Sequence, residues 1–250
     1  MKKRRWLLAT IADDAARLAA AHGLGIEIDE FCTAANMDEN FEYWDGLVRG
    51  HGAQAPMEVF HAPFAELHPC AIDPRARRLA MDRFLQAANL AKSYGIRRMV
   101  VHGGFLPNVY YPIWYEEQSA GFWREFLECQ PDDFELLIEN VLEDDPQSML
   151  RMISGIGDAR ARMCLDVGHA NVVSAVPVEK WIEVLGGHIR HVHLHNNHGK
   201  RDEHNPPDYG GMDIPALMER LDCCAPDATV TLECMDARDA VKWLGSVLHK

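Results

Sequence analysis

IRHVHLH, residues 189–195, sets an imidazole at every second position, and NNHGKRDEH (196–204) follows it with two more histidines and two acidic residues. Successive side chains of an extended segment point to opposite faces. His191, His193 and His195 therefore share one face of a strand, while Ile189, Val192 and Leu194 mostly supply its apolar support. A solvated polar loop has no need of such spacing. A His-rich surface strand would account for the run by itself. Several imidazoles aimed at one cavity, with Asp202 and His204 just downstream, instead make half of a metal site, since neutral imidazole is the commonest metal ligand. The other half must come from elsewhere in the chain.

Outward from this strand, short apolar runs alternate with helical patterns from end to end. The runs are WLLAT (6–10), GIEI (25–28), MEVFH (57–61), RMVVH (98–102), FELLIE (134–139), RMCLD (162–166), IRHVHLH (189–195) and TVTLE (229–233). Between them, stretches such as IADDAARLAAAHG and DPRARRLAMDRFLQAANLAKSYG carry the apolar spacing of amphipathic helices closed by glycine. Eight strand–helix units in 250 residues predict a single-domain (β/α)8 TIM barrel spanning residues 1–250. A doubly wound open sheet is the alternative, but no GxGxxG turn supports it. In a barrel of this kind the active site lies at the C-terminal ends of the strands. Strand three ends in His61, strand four in His102, strand five in Glu139 and strand six in Asp166, with His169 three residues on; strand seven carries His193 and strand eight ends in Glu233. Six consecutive strands thus finish on a candidate metal ligand, where chance would scatter such residues among helices and both strand ends.

Composition narrows the function classes. The formal net charge is −13, which argues against a nucleic-acid partner, because phosphate-backbone binding is supplied by clustered Lys and Arg. The richest basic patches are a terminus (Lys2 to Arg5) and a solvated helix face (Arg75, Arg77, Arg78, Arg83). MKKRR followed by WLLATIA imitates a signal peptide, but Asp13 and Asp14 break the apolar run. No segment approaches the ~20 apolar residues of a membrane span. Seven cysteines, odd in number and without CxxC spacing, read as reduced thiols of a cytoplasmic protein.

HAPF (61–64), VVHGG (100–104), LLIEN (136–140), LDVGHAN (165–171), HVHLHNNHGKRDEH (191–204) and TLEC (231–234) together resemble the xylose isomerase-like TIM-barrel superfamily, which contains sugar-phosphate isomerases and epimerases and endonuclease IV-type proteins. The resemblance covers nearly the whole chain and implies one to three divalent ions, with zinc, manganese, magnesium or cobalt as candidates. For an isomerase or epimerase it implies one ion on Glu139, Asp166, His193 and Glu233, the two glutamates also passing a proton through an enediolate. For an endonuclease IV-like phosphoesterase it implies three sites. His61 and His102 with bridging Glu139 would form the first, Glu139, Asp166, His193 and Glu233 the second, and His169, Asp202 and His204 the third. The acidity of the chain and the absence of basic DNA-gripping loops after strands one to three favour a small sugar or sugar phosphate over nucleic acid. A barrel that binds sugar or metal without turnover is a third reading. The segment 208–213 departs from the family's Gly-x-Gly turn, reading Tyr209-Gly210-Gly211.

Further residues are assigned from their setting. His191, deeper than His193, is expected to be a hydrogen-bonded core histidine, and His195 an open substrate contact. His22, His51, His68, His188, His198 and His249 are expected at the surface or in caps. FLPNVYYPIWYEEQSAGFW (105–123) reads either as a lid whose rings, Phe105 and Trp114 among them, stack on a sugar, or as core packing or a homo-oligomer interface; Phe41, Tyr43 and Trp44 invite the same two readings. Lys200 and Arg201 are the cations nearest the proposed site and could hold a substrate phosphate. Formal charge links metal number to substrate. One ion on three carboxylates leaves −1, or −2 with Asp202, and suits a neutral polyol; three ions on four carboxylates leave +2 and favour an anion.

Overall fold

A computed structural model describes residues 4–248 of the chain; His249 and the lysines of the N-terminal basic patch lie outside them. The elements are β1 (Trp6–Ala9), α1 (Ala15–His22), β2 (Gly25–Ile28), α2 (Phe41–Gly52), β3 (Met57–His61), α3 (Pro74–Ser93), β4 (Arg98–His102), α4 (Pro112–Glu128), β5 (Glu135–Glu139), α5 (Pro146–Ile156), β6 (Ala161–Asp166), α6 (Val167–Val173), α7 (Val178–Leu185), β7 (Ile189–Leu194), α8 (Ile214–Cys224), β8 (Thr229–Leu232) and α9 (Ala237–Leu248). The eight strands close into one parallel barrel in chain order. His195 and Glu233 fall just past the strands in which they were expected, yet Glu233 N–H still donates to Leu194 O at 3.3 Å.

Local chemistry starts several helices where the barrel needs them. Asp73, Asp145 and Asp213 accept from Arg75 N (2.7 Å), Gln147 N (2.9 Å) and Ala216 N (3.1 Å), each with proline in the first turn. Each such cap stabilises by about 1 kcal/mol. The helices bury their apolar faces on the outside of the barrel, with Trp123 and Trp181 fully enclosed there.

Inside the barrel, period-two alternation stacks the inward side chains in layers. One layer is apolar: Leu7, Val59, Val100, Leu137 and Cys164 form a cluster of their own. Two residues further along four of these strands, the next inward positions are His61, His102, Glu139 and Asp166. On β7 the same step runs from His191 to His193, and the registers His102↔Glu139 and Asp166↔His193 bring neighbouring strands level. The apolar layer supports a polar one directly above it.

Candidate metal centre

The C-terminal end of the barrel opens into a cavity of about 570 Å³. His61, His102, Glu139, His169, Asp202, His204 and Glu233 line it, and the buried Asp166 and His193 lie in contact with this group. All nine expected ligands therefore converge. One wall is apolar, from Ile11, Trp44, Leu47 and Phe64, and Phe64 stacks on the His102 ring with centroids 4.2 Å apart. Asp13, Asp29 and Glu30 extend the cavity on the β1–β2 side, and its lining contains no Lys or Arg among the described residues.

Glu139 is the hub. Its Oε2 lies 3.2 Å from His61 Nε2 and 3.5 Å from His102 Nε2, while Oε1 lies 3.1 Å from His169 Nδ1 and 3.5 Å from His193 Nδ1. Two imidazoles thus flank each oxygen. His193 Nδ1 is also 3.2 Å from Glu233 Oε2 and 3.7 Å from Asp166 Oδ2. A second group closes downstream, where Asp202 Oδ2 lies 3.2 Å from His169 Nε2 and 2.7 Å from His204 Nε2. His204 has φ of 48°, a strained conformation for a residue with a side chain.

Ring orientation is fixed from behind. A backbone carbonyl can only accept, so His61 Nδ1–H donates to Ala62 O (2.9 Å) and His204 Nδ1–H to Glu233 O (3.0 Å). Their Nε2 lone pairs are thereby turned toward carboxylates. His193 reaches the same state through Glu27, whose Oε1 accepts from Nε2 at 3.0 Å. Glu27 Oε2 accepts from His191 Nε2 (2.9 Å) and from Thr231 Oγ1 (2.5 Å), and His191 Nδ1 meets Thr229 Oγ1 at 2.6 Å. His191 is thus the hydrogen-bonded core residue expected of it. Glu27 was missed, although a lone carboxylate in the apolar run GIEI was its signal. Asn140, within the LLIEN stretch, ties β5 to β6: its Nδ2 donates to Asp166 O (2.9 Å) and its Oδ1 accepts from Asp166 N (3.0 Å).

Several expected substrate contacts lie elsewhere. His195 is not open but fully buried, its Nε2 3.2 Å from both Asp166 oxygens and its ring stacked on His204 at 4.2 Å, because the chain turns inward over Gly168 after β7. A Cβ on Gly168 would lie 1.9 Å from that ring. Phe105 is buried against Tyr115 at 5.1 Å, and Trp114 is anchored by its indole N–H to Cys70 O at 2.8 Å. No residue of 105–123 lines the cavity; core packing accounts for Phe105, Tyr115, Phe122 and Trp123, while Tyr111 is exposed. Lys200 and Arg201 sit on an exposed turn outside the lining. Of the other histidines, His22 and His198 are exposed and His51, His68 and His188 half-buried, His51 pairing with Glu30 at 2.9 Å. The turn at Gly210 is explained by packing: a Cβ there would meet Asn196 Oδ1 at 2.2 Å. All seven cysteines are free.

Residues 14–247 match the family model described as xylose isomerase-like TIM barrel. The chain belongs to this family. A relative, the uncharacterized protein MJ1311 of Methanocaldococcus jannaschii, is 29% identical over 231 residues, covering 82% of this chain and 78% of that one. A D-tagatose 3-epimerase-like protein superposes with a TM-score of 0.76 at 23% identity, covering 98% of this chain and 96% of that one. The TTHB071 protein from Thermus thermophilus, soaked with ZnCl2, gives 0.74 at 23% identity, with 97% and 96% covered. Other barrels of this shape are described as a 3-keto-D-glucoside 4-epimerase, a probable 3-DHS dehydratase and an AP endonuclease of family 2. At these identities the structures establish the shared fold.

The donor set of this xylose isomerase-like barrel fits divalent metal. His193 Nδ1 and Glu233 Oε2 are both buried without a hydrogen-bond partner although only 3.2 Å apart. With Nε2–H given to Glu27, the Nδ1 lone pair faces carboxylate oxygens, an arrangement that repels unless a positive charge lies among them. Burial opposes protonation of His169 and His204, but Asp166 and Asp202 raise His169 well above its usual range, and Asp202 and Glu233 raise His204 to about 9. Burial likewise opposes ionisation of Glu139, yet His193, His102 and His169 hold it well below the usual carboxylate range. The cluster is built to concentrate positive charge, which bound cations would supply with neutral imidazoles as ligands.

Proposed function

We propose that the protein is a divalent-metal-dependent isomerase or epimerase of a sugar or sugar phosphate. The observation that carries this reading is the placement of two glutamates, Glu139 and Glu233, on one imidazole nitrogen, His193 Nδ1, at 3.5 and 3.2 Å, beneath a cavity with an apolar wall. A divalent ion on Glu139, Asp166, His193 and Glu233 would polarise neighbouring carbonyl and hydroxyl oxygens and acidify the adjacent C–H. Glu233, the more exposed of the pair, is suited to take that proton, and Glu139 to return one from the opposite side, giving net transfer through an enediolate. Trp44 and Phe64 offer flat apolar surface to the C–H face of a sugar. Nucleic acid is not the proposed partner, since no Lys or Arg among the described residues lines the cavity.

A second reading, multinuclear phosphoester hydrolysis, is favoured by the division of Glu139's oxygens between two pairs of imidazoles, a pattern suited to a bridging carboxylate. Metal content per chain, together with deuterium exchange at C–H next to the carbonyl of candidate ketoses and aldoses, tests the proposal. Exchange that is lost in Glu233→Gln supports it. Release from small phosphodiesters with no exchange on any sugar would replace it with the hydrolase.

A further inference from the structure

The β1–β2 side of the cavity holds a carboxyl that the fold does not need. Glu30 is fully engaged, with Oε2 accepting from Thr10 Oγ1 at 2.8 Å and Oε1 paired with His51 at 2.9 Å. Thr10 Oγ1 in turn accepts from Asp29 N at 2.9 Å, and the Asn36 amide donates to Glu30 O at 2.7 Å. Asp29 differs. Its Oδ2 accepts one bond, from Ile11 N at 3.2 Å, and no hydrogen bond or ion pair among the described residues reaches Oδ1. It follows β2 directly, lines the cavity beside Ile11 of the apolar wall, and sits among Asp13, Glu30 and the ligand carboxylates with no Lys or Arg among the described lining residues. Carboxyl groups set in such acidic, half-buried surroundings cost free energy, and they are retained where a ligand repays it.

Resting on the isomerase or epimerase reading, we infer that the substrate is an uncharged sugar and that Asp29 binds one of its hydroxyls beside the metal ligands, on the β2 side of His61. A hydroxyl donating to Oδ1 completes the carboxyl's hydrogen bonding while the C–H face of the sugar lies on Trp44 and Phe64. A phosphorylated sugar finds no Lys or Arg among the described lining residues and brings a dianion toward Asp13 and Glu30. Lys200 and Arg201, outside the lining, do not relieve this repulsion.

The test uses the full chain loaded with zinc or manganese and a panel of ketohexoses with their 6-phosphates, read by calorimetric binding and by C–H exchange. Neutral ketoses bind in preference to their phosphates, and Asp29→Ala weakens that binding by roughly 10- to 100-fold, as removal of a hydrogen bond to substrate does. Metal content stays at the wild-type level, and Asp29→Asn, which keeps an acceptor oxygen, recovers most of the loss. Tighter binding of the phosphates, binding of neither series, or Asp29→Ala indistinguishable from wild type would overturn the inference. The two readings separate cleanly. Neutral preference that depends on Asp29 without any exchange upholds the inference and removes the isomerase, whereas exchange confined to 6-phosphates upholds the isomerase and removes the inference.

Discussion

A carboxylate inside an apolar strand is costly unless neighbours donate to it, and Glu27 shows what such a residue does once satisfied. By taking the Nε2–H of His193 it fixes which nitrogen of that ring is free to meet Glu139 and Glu233. Glu27→Gln keeps the shape but can present an amide N–H where His193 now donates, so metal affinity is expected to fall by about 10- to 100-fold, as for other outer partners of ligand histidines. Competition with a chelator of known affinity measures it, and unchanged affinity would show that His193 is oriented by other means. Gly168 makes a second residue-scale case. A methyl group there would meet the buried His195 ring at 1.9 Å, and that ring contacts Asp166. Gly168→Ala is therefore expected to destabilise by about 1–3 kcal/mol through overpacking, read as a lower denaturation midpoint with an unchanged slope; a wild-type midpoint would mean that the ring moves aside freely.

At the scale of elements, the loops that follow the ligand-bearing strand ends are themselves locked together. Glu143, buried after β5, accepts from Val141 N (2.7 Å), Phe105 N (3.1 Å) and Tyr115 Oη (2.9 Å), joining the loop after β4 to the loop after β5. Gly103 exists for this contact, since a Cβ would lie 2.3 Å from Glu143 Oε1. Glu143→Ala leaves the Val141 and Phe105 N–H groups unmet and Tyr115 Oη with only Met149 Sδ, and is expected to cost about 2–4 kcal/mol and to loosen His102 and Glu139; thermal unfolding with metal titration checks both effects, and the absence of both would refute the bracing role. The same elements show what a one-dimensional reading can reach. Strand ends were legible because alternation and the barrel's C-terminal rule together place His61, His102, Glu139, Asp166, His193 and Glu233 without knowledge of any contact. The setting of His195 was not, because parity gives the face but not the depth: His195 follows the strand's alternation yet is buried against Asp166, and Phe105 and Trp114 pack toward neighbours whose positions depend on the closed barrel. Glu27 and Asp29 escaped because they reach the ligands from β2 and the turn just after it, far from those ligands along the chain, and no sequence spacing connects them.

For the molecule as a whole, charge and metal number are coupled. The chain carries −13, and among the described residues no Lys or Arg lines the cavity and no helix is long and apolar enough to cross a membrane. At physiological salt it is expected not to bind duplex DNA appreciably, even within the ~10⁻⁴ to 10⁻⁶ M range of ordinary non-specific binders; submicromolar binding to an abasic duplex followed by strand cleavage would promote the hydrolase. The nine converging ligands also divide in a way that experiment can exploit. His193 touches the groups shared by either chemistry, whereas Asp202 and His204 meet His169 in a group of their own. With the central site sufficient for proton transfer, Asp202→Ala combined with His204→Ala should leave the central metal and a reduced but measurable exchange, while His193→Ala removes both. With a multinuclear hydrolase the double variant should instead lose one metal per chain and drop in rate by orders of magnitude, because charge neutralisation at the phosphoryl group depends on the full set. Metal content measured beside turnover for the two variants decides between them: if phosphodiester cleavage is the sole activity found and the double substitution abolishes it, the isomerase assignment falls.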